Sequence, residues 1–356
     1  MVFDLASDLA VDRTVIREAI DRGPLTPRDA ETIGLVDGSI DAVDVDDEVE
    51  RLHGREVAIE RDERGADRQW GVGPRVAVVL VEGPIVDRDN ITIPLLGTRA
   101  TGADTIVATL DALRRDDATR AVVLRVDSPG GSASASDRIW RAVRRLARVK
   151  PVVASLGAIA ASGGYYIATA APTIYADPST LTGSIGIYYG KVDVGTLATR
   201  LGVGIASVER GAHAGALSMY RPFDADERAR LEELVTEGYG LFLRRVAEGR
   251  ERTVESLDGL CEGRIWSGDA AREHGLVDRL GGLVAAIAHA RTLADLSVDA
   301  EVVVLPEVRV GIVGRILGAA TSVESIPLAR LSGLAWLAYG SGEGMYALAP
   351  FDDGVR

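Results

Sequence analysis

Lysine is almost absent from this chain of 356 residues: of 40 basic side chains, only Lys150 and Lys191 are lysines. Chemistry that needs a lysine amine therefore has two places to find one. Cysteine is scarcer still, and the single Cys261 excludes an internal disulfide and a cysteine-only metal cluster. The four histidines, His53, His213, His274 and His289, show no HExxH-like spacing, so neither a metal nor another cofactor is expected. Positive charge is also in deficit. A formal net charge of −13 argues against nucleic acid as a partner, because phosphates need a basic face. No run reaches the roughly 18 uncharged apolar residues that a membrane-spanning helix requires. Residues 1–20 are charged throughout and do not read as a secretory signal. The tail around 308–340 comes nearest, but Arg309, Arg315, Glu324 and Arg330 interrupt it, which suits capping an interface or touching a membrane surface.

What is present is a soluble globular composition, 47% apolar and 26% charged, long enough for two domains or one large domain with extensions. A partial internal repeat divides it. Residues 26–37 read TPRDAETIGLVD and residues 267–278 read SGDAAREHGLVD, without gaps at an offset of 241. RTV stands upstream of each, at 13–15 and 252–254. Duplication explains this better than chance likeness of two amphipathic helices. On that reading residues 1–52 are the C-terminal remnant of a first repeat unit, and the chain is the later part of a tandem protein. Residues 53–74, rich in charge and glycine, are a linker. Residues 75–295 form a complete second unit, and residues 296–356 are a C-terminal extension.

Within 75–295 the apolar runs RVAVVLVEGPI (75–85), RAVVLRVDS (120–128) and PVVASLG (151–157) read as strands. Helical patterns at 104–115 and 135–148 separate them, and a further helix begins at Ser162. This alternation predicts an α/β fold with a mainly parallel sheet. Residues 224–249 form a long amphipathic helix with Asp224 as its cap.

Three glycine-rich segments carry the chemistry: DSPGGS at 127–132, AASGGYY at 160–166 and LTGSIGI at 181–187. Gly130 and Gly131 follow a strand and precede a helix, so their amides can face a cleft and hold an oxyanion. Ser162, between small residues where a strand gives way to a helix, can expose a nucleophilic hydroxyl. Each has a plainer reading, a tight βα turn for SPGG and a helix N-cap for Ser162. Together, some thirty residues apart, they put a nucleophile beside an oxyanion pocket.

SPGGS, AASGGYYIATAA and DPSTLTGSIGI, in this order and spacing, resemble the signal peptide peptidase A (protease IV) family, which belongs to the Clp-protease/crotonase superfamily. The resemblance covers essentially all of 75–295, including ERGAHAGALS (209–218) and RIWSGDAAREHGLVD (264–278). It implies a Clp-protease/crotonase-like fold of βαβ units wound as a superhelix around a mainly parallel sheet. It also implies a serine endopeptidase of hydrophobic peptides such as cleaved signal peptides, oligomeric and associated with the cytoplasmic membrane or cell envelope. Ser162 matches the nucleophile, the amides of Gly131 and Gly163 match the oxyanion hole, and Ser184 matches a serine whose hydroxyl holds the general base. Family members use a Ser–Lys dyad, in which a desolvated, neutral lysine deprotonates the serine.

In single-unit members that lysine lies in a segment reading roughly SGAHK. Here the segment is ERGAHAGA, and the position holds Ala214. Three readings follow. A lysine-bearing first unit supplies the base, as in tandem members. Alternatively Lys191, seven residues past Ser184, or His213, beside the vacant position, substitutes for it. Or the unit is degenerate and keeps only an assembly role. A crotonase-type acyl-CoA enzyme would share the oxyanion hole but would not need the serine.

Overall fold

The computed structural model of the chain describes residues 6, 9, 11–40, 45–53, 73–93, 98–306 and 346–348. Residues 54–72 of the expected linker, and residues 307–345 of the extension, lie outside the described residues. The chain divides into two compact units, residues 1–63 with 189–237, and residues 64–188 with 238–356. Residues 189–237, which fall inside the unit drawn at 75–295 from sequence, thus group with the N-terminal segment.

In the smaller unit, α1 (Arg13–Arg22) starts at Asp12, whose carboxylate accepts from the Thr14 amide at 2.8 Å. A six-residue helix, α2 (Pro27–Thr32), follows with Thr26 as its cap. Arg230 ties this region to residues 189–237, donating to Asp29 Oδ2 at 2.8 Å and to the Pro24 carbonyl at 2.6 Å.

In the larger unit the chain runs β1 (Arg75–Glu82), β2 (Ile85–Val86), β3 (Ile91–Ile93), β4 (Thr98–Gly102), α3 (Ala103–Arg115), β5 (Thr119–Ser128) and β6 (Gly130–Ser132). Next come α4 (Ala133–Ala147), β7 (Val152–Ala161), α5 (Gly163–Ala168), β8 (Thr173–Ala176) and β9 (Leu181–Gly183). After the long helix α6 (Ala225–Gly249) follow β10 (Ile265–Ser267), α7 (Gly268–Glu273), β11 (Arg279–Leu280), α8 (Leu283–Leu293), β12 (Glu301–Leu305) and β13 (Tyr346–Leu348).

The main sheet has the order β10-β9-β7-β5-β1-β12, with β8 and β11 off this path. The pairings of β1, β5, β7, β8, β9, β11 and β12 are parallel, and only β9 with β10 is antiparallel. Its strands are continuous apolar runs because both faces are covered. Ala77, Val79 and Val81 of β1 pack with Ile106 and Leu110 of α3 and Ile139 and Val143 of α4. The alternate residues Val76 and Val78 pack on the other face with Ala286 and Ala290 of α8. Each large aliphatic side chain buried this way contributes about 1.5–3 kcal/mol. A second sheet has the order β13-β6-β2-β4-β3.

One irregularity positions the site. Val126 lies opposite Leu156, yet Ser128 lies opposite Ala160, so β7 carries a bulge at residues 157–159. Asp127 Oδ1 accepts from the Ile159 amide at 3.1 Å, and the Thr180 hydroxyl donates to the Gly157 carbonyl at 2.8 Å. A side chain at Gly157 would stand 2.6 Å from the Asp127 carboxyl carbon, so glycine is required there. The expected strand at 151–157 therefore continues across the bulge to Ala161.

The repeated segments fold alike. The Thr26 hydroxyl accepts from the Asp29 amide at 3.1 Å, and the Ser267 hydroxyl accepts from the Ala270 amide at 3.2 Å. Each short helix ends on a glycine at positive φ, 73° for Gly34 and 74° for Gly275. Each closes with an amide-to-carbonyl bond of 2.8 Å, from Leu35 to Ala30 and from Leu276 to Ala271.

Candidate active site

β7 ends at Ala161, and the chain turns at Ser162 with φ 52° and ψ −118° before entering α5. A residue with a side chain pays about 1–3 kcal/mol to hold such a conformation. Ser162 stands at the N-cap position of α5, but its side chain makes no capping hydrogen bond. The plain N-cap reading is thereby excluded. Instead Ser162 is held by its backbone: its amide donates to the Gly183 carbonyl and its carbonyl accepts from the Tyr166 amide, both at 2.8 Å. The residue is 0% exposed, and its Oγ is buried without a hydrogen-bond partner.

The register brings the second serine alongside. Ala161 pairs with Gly183 across the parallel strands β7 and β9, so Ser162 and Ser184 each follow directly on a paired residue. Ser184 repeats the features of Ser162: φ is 49°, exposure is 1%, and its Oγ has no partner. Its amide donates to the Arg264 carbonyl at 2.7 Å.

The two glycine segments also meet. A side chain at Gly163 would lie 2.6 Å from Ser136 Oγ, 3.2 Å from Gly130 Cα and 3.2 Å from the Gly131 nitrogen. The start of α5 is thus pressed against β6, with the Gly131 amide beside Gly163. A side chain at Gly131 would collide with the Ile85 backbone. One expectation is corrected here: Gly130 does not offer its amide to a cleft, because that N–H donates to Ser128 Oγ at 3.1 Å. Gly131 lies between two strands, opposite Ile85 of β2 and Ala347 of β13.

Two tyrosines anchor α5. The Tyr165 hydroxyl donates to the buried Leu276 carbonyl at 2.8 Å, and the Tyr166 hydroxyl donates to Asp137 Oδ1 at 2.7 Å. Burial raises both phenol pKa values further above their ordinary range, so neither serves as a base near neutral pH. Sequence reasoning missed these anchors, as well as Ser128, Asp127 and Thr182, whose hydroxyl donates to the Ala160 carbonyl at 2.7 Å. Their type carries no signal of a supporting role; only the register of β7 with its neighbours reveals it.

Neither serine hydroxyl is hydrogen-bonded to a base among the described residues. Lys150 precedes β7, and its Nζ donates to the Leu113 and Asp116 carbonyls, each at 2.6 Å. The length of β7 puts it about 30 Å from Ser162, at some 3.3 Å per residue. Lys191 and His213 both belong to the smaller unit. There Lys191 Nζ donates to the Ala216 carbonyl at 2.6 Å and sits 4.1 Å from the centre of the Phe223 ring. Burial, and then the Arg221 charge, lower its pKa. His213 packs against the backbone at Gly23, and its Nδ1 is buried without a partner. Ala214 is exposed. Cys261 is buried, and that burial pushes its thiol up to about 11, which keeps it protonated and unreactive.

Among the described residues no group of acidic, histidine or cysteine side chains is arranged to hold a metal ion. Nor is any of their helices long and apolar enough to cross a membrane. The arrangement therefore offers two strained, unpartnered hydroxyls beside backbone amides. These are the parts of a hydroxyl-based acyl transfer, short of a proton acceptor.

Two peptidase families match parts of the chain. Peptidase family S49 matches residues 144–297, and Clp protease matches residues 89–179. The α/β architecture with its mainly parallel sheet is thus of the Clp-protease/crotonase-like kind. Serine protease SPPA, chloroplastic, from Arabidopsis thaliana is 30% identical over 313 residues, covering 81% of this chain and 46% of that protein. Protease 4 from Salmonella typhi is 39% identical over 226 residues, covering 63% of this chain and 35% of that protein. A putative protease from Synechocystis is 38% identical over 204 residues, covering 57% of this chain and 74% of that protein. The chain spans less than half the length of the first two.

Proposed function

The chain belongs to peptidase family S49, and from that premise we propose that it is the serine-bearing unit of an endopeptidase that cleaves hydrophobic peptides, with a lysine base contributed from outside the described site. Ser162 Oγ attacks the peptide carbonyl carbon. Its proton passes to the neutral lysine amine, which the Ser184 hydroxyl orients. The developing oxyanion takes hydrogen bonds from the Gly131 and Gly163 amides. The C–N bond then breaks, the lysine returns the proton to the departing amine, and water hydrolyses the ester to free Ser162.

One observation carries this reading. Two neighbouring serine hydroxyls, at the ends of paired strands, are fully buried and both lack any partner. A buried hydroxyl left unpaired costs about 1–3 kcal/mol, so two side by side are a cost that an entering amine would remove. The alternative is a degenerate subunit with only an assembly role, which Ala214 in the lysine's place favours. Hydrolysis of fluorogenic hydrophobic peptides separates the two. The chain should turn over when mixed with a lysine-bearing first unit and stay silent as Ser162→Ala in the same mixture. If the mixture is no faster than the first unit alone, the degenerate reading replaces this one.

A further inference from the structure

The strand that ends in the nucleophile changes partners at its bulge. Before it, residues 153–155 of β7 pair with residues 173–175 of β8. After it, residues 159–161 pair with residues 181–183 of β9, which brings Ser162 beside Ser184. Over the same stretch β5 advances by two residues, from Val126 to Ser128, while β7 advances by four, from Leu156 to Ala160. Two surplus residues take up about 6–7 Å at some 3.3 Å per residue. An even surplus leaves the facing of the strand unchanged, and Leu156 and Ala160 belong to the same buried cluster. What it changes is how far along the sheet Ser162 stands relative to Gly131. A reacting carbonyl has to sit about 3 Å from both nucleophile and oxyanion donor, so straightening the bulge would part them by more than the chemistry tolerates.

One side chain reaches the bulge from the oxyanion strand. Asp127 is the residue of β5 opposite the surplus, three positions before Gly130. Its carbonyl accepts from the Gly83 amide at 2.9 Å, and its Oδ1 accepts from the Ile159 amide at 3.1 Å. Gly157 leaves the room in which this carboxyl sits, because a side chain there would stand 2.6 Å from its carbon. Asp127 is exposed, so packing in the core does not account for it. Three residues past Ile159 the chain holds Ser162 at φ 52°, a conformation that its surroundings must impose.

Resting on the reading of Ser162 as nucleophile and Gly131 as oxyanion donor, we propose that Asp127 is a positioning residue. By accepting from Ile159 it fixes the bulge, and the bulge sets the spacing between the nucleophile and the oxyanion amides. It acts through β7 and takes no proton.

Asp127→Ala removes the acceptor, whereas Asp127→Asn keeps an Oδ1 in its place. With a lysine-bearing first unit present, fluorophosphonate labelling of Ser162 should reach a limiting rate at least about tenfold lower in Asp127→Ala and within about threefold of the parent in Asp127→Asn. The half-saturating probe concentration should not change. Two further readouts need no base. Amide hydrogen exchange at Ile159 should quicken in Asp127→Ala but not in Asp127→Asn. The rise in urea midpoint that Ser162→Gly brings should shrink by about half or more in the Asp127→Ala background, because an untied turn relaxes its own strain. Should Asp127→Ala fail to fold, Asp127→Glu takes its place in all three measurements. It keeps the charge, but its longer arm does not fit against Gly157 without shifting the bulge. Labelling of Asp127→Ala at the parent rate overturns the proposal, as does labelling of Asp127→Asn as slow as that of Asp127→Ala. An unchanged midpoint gain, or unchanged exchange at Ile159, overturns it too. If the parent itself is never labelled, the acylation reading fails, and the exchange and midpoint results alone decide whether Asp127 sets the turn.

Discussion

Ser162→Gly removes two costs at once, the φ of 52° imposed on a residue with a side chain and the buried hydroxyl that no group receives. The backbone cost is about 1–3 kcal/mol, and the unpaired hydroxyl costs about as much again. Glycine gives back about 0.5–1 kcal/mol through the extra freedom of the unfolded chain. The net expectation is a gain of about 2–3 kcal/mol in the larger unit, or ~5–10 °C in Tm for a unit of this size. Ser162→Ala keeps the strained backbone and loses only the hydroxyl, so it should gain about 1 kcal/mol. The difference between the two variants isolates the backbone strain. Urea unfolding followed by circular dichroism, with the slope checked for constancy, measures both. Both variants should be inactive with peptides. If Ser162→Gly is no more stable than Ser162→Ala, the turn is not strained. If both are less stable than the parent, the hydroxyl has a partner and the reasoning fails.

Gly163→Ala forces a methyl against Ser136 Oγ and the Gly131 nitrogen, so it should cost about 1–3 kcal/mol in urea unfolding and reduce acylation of Ser162 by at least about 10²-fold. Tyr165→Phe strands the buried Leu276 carbonyl and should cost about 1–3 kcal/mol by the same assay. In the smaller unit Glu227 accepts two hydrogen bonds from Arg221, at 2.7 and 2.5 Å, and these hold its carboxyl down at about 2. A folded pKa below the unfolded one means stability that is complete above the unfolded value and is lost as pH falls from ~4.5 towards 2. After screening on the Arg221 side this amounts to about 1–2 kcal/mol. Melting temperatures taken across that window should fall less steeply in Glu227→Gln; parallel curves would contradict the assignment.

Much of the larger unit is legible in the sequence because its sheet is covered on both faces. The middles of β1, β5 and β7 are rich in valine, alanine and leucine, broken by Arg125 in β5 and by Ser155 and Gly157 in β7, and such runs have few other uses. The helix at 225–249 announces itself through Asp224, which accepts from the Glu227 amide at 2.8 Å while Glu227 accepts from the Asp224 amide at 3.0 Å. Ser162 and Ser184 stand out by their glycine neighbours. Strands of two or three residues, such as β2, β6 and β10, are too short to show a period. The bulge at 157–159 depends on Asp127, a partner some thirty residues away, and no local pattern carries it. The grouping of 189–237 with the N-terminal segment rests on contacts such as Arg230 with Asp29, again invisible to local reading. Nor does composition reveal that Lys191 is engaged by the Ala216 carbonyl and the Phe223 ring.

Fluorophosphonate labelling of Ser162, located by mass spectrometry of the digested chain, tests most directly whether the nucleophile is here and its base is elsewhere. The chain alone should stay unlabelled, and it should be labelled at Ser162 once a lysine-bearing first unit is added. Labelling of the chain alone that Lys191→Ala abolishes would put the base in Lys191. Absence of labelling under both conditions would remove the nucleophile itself.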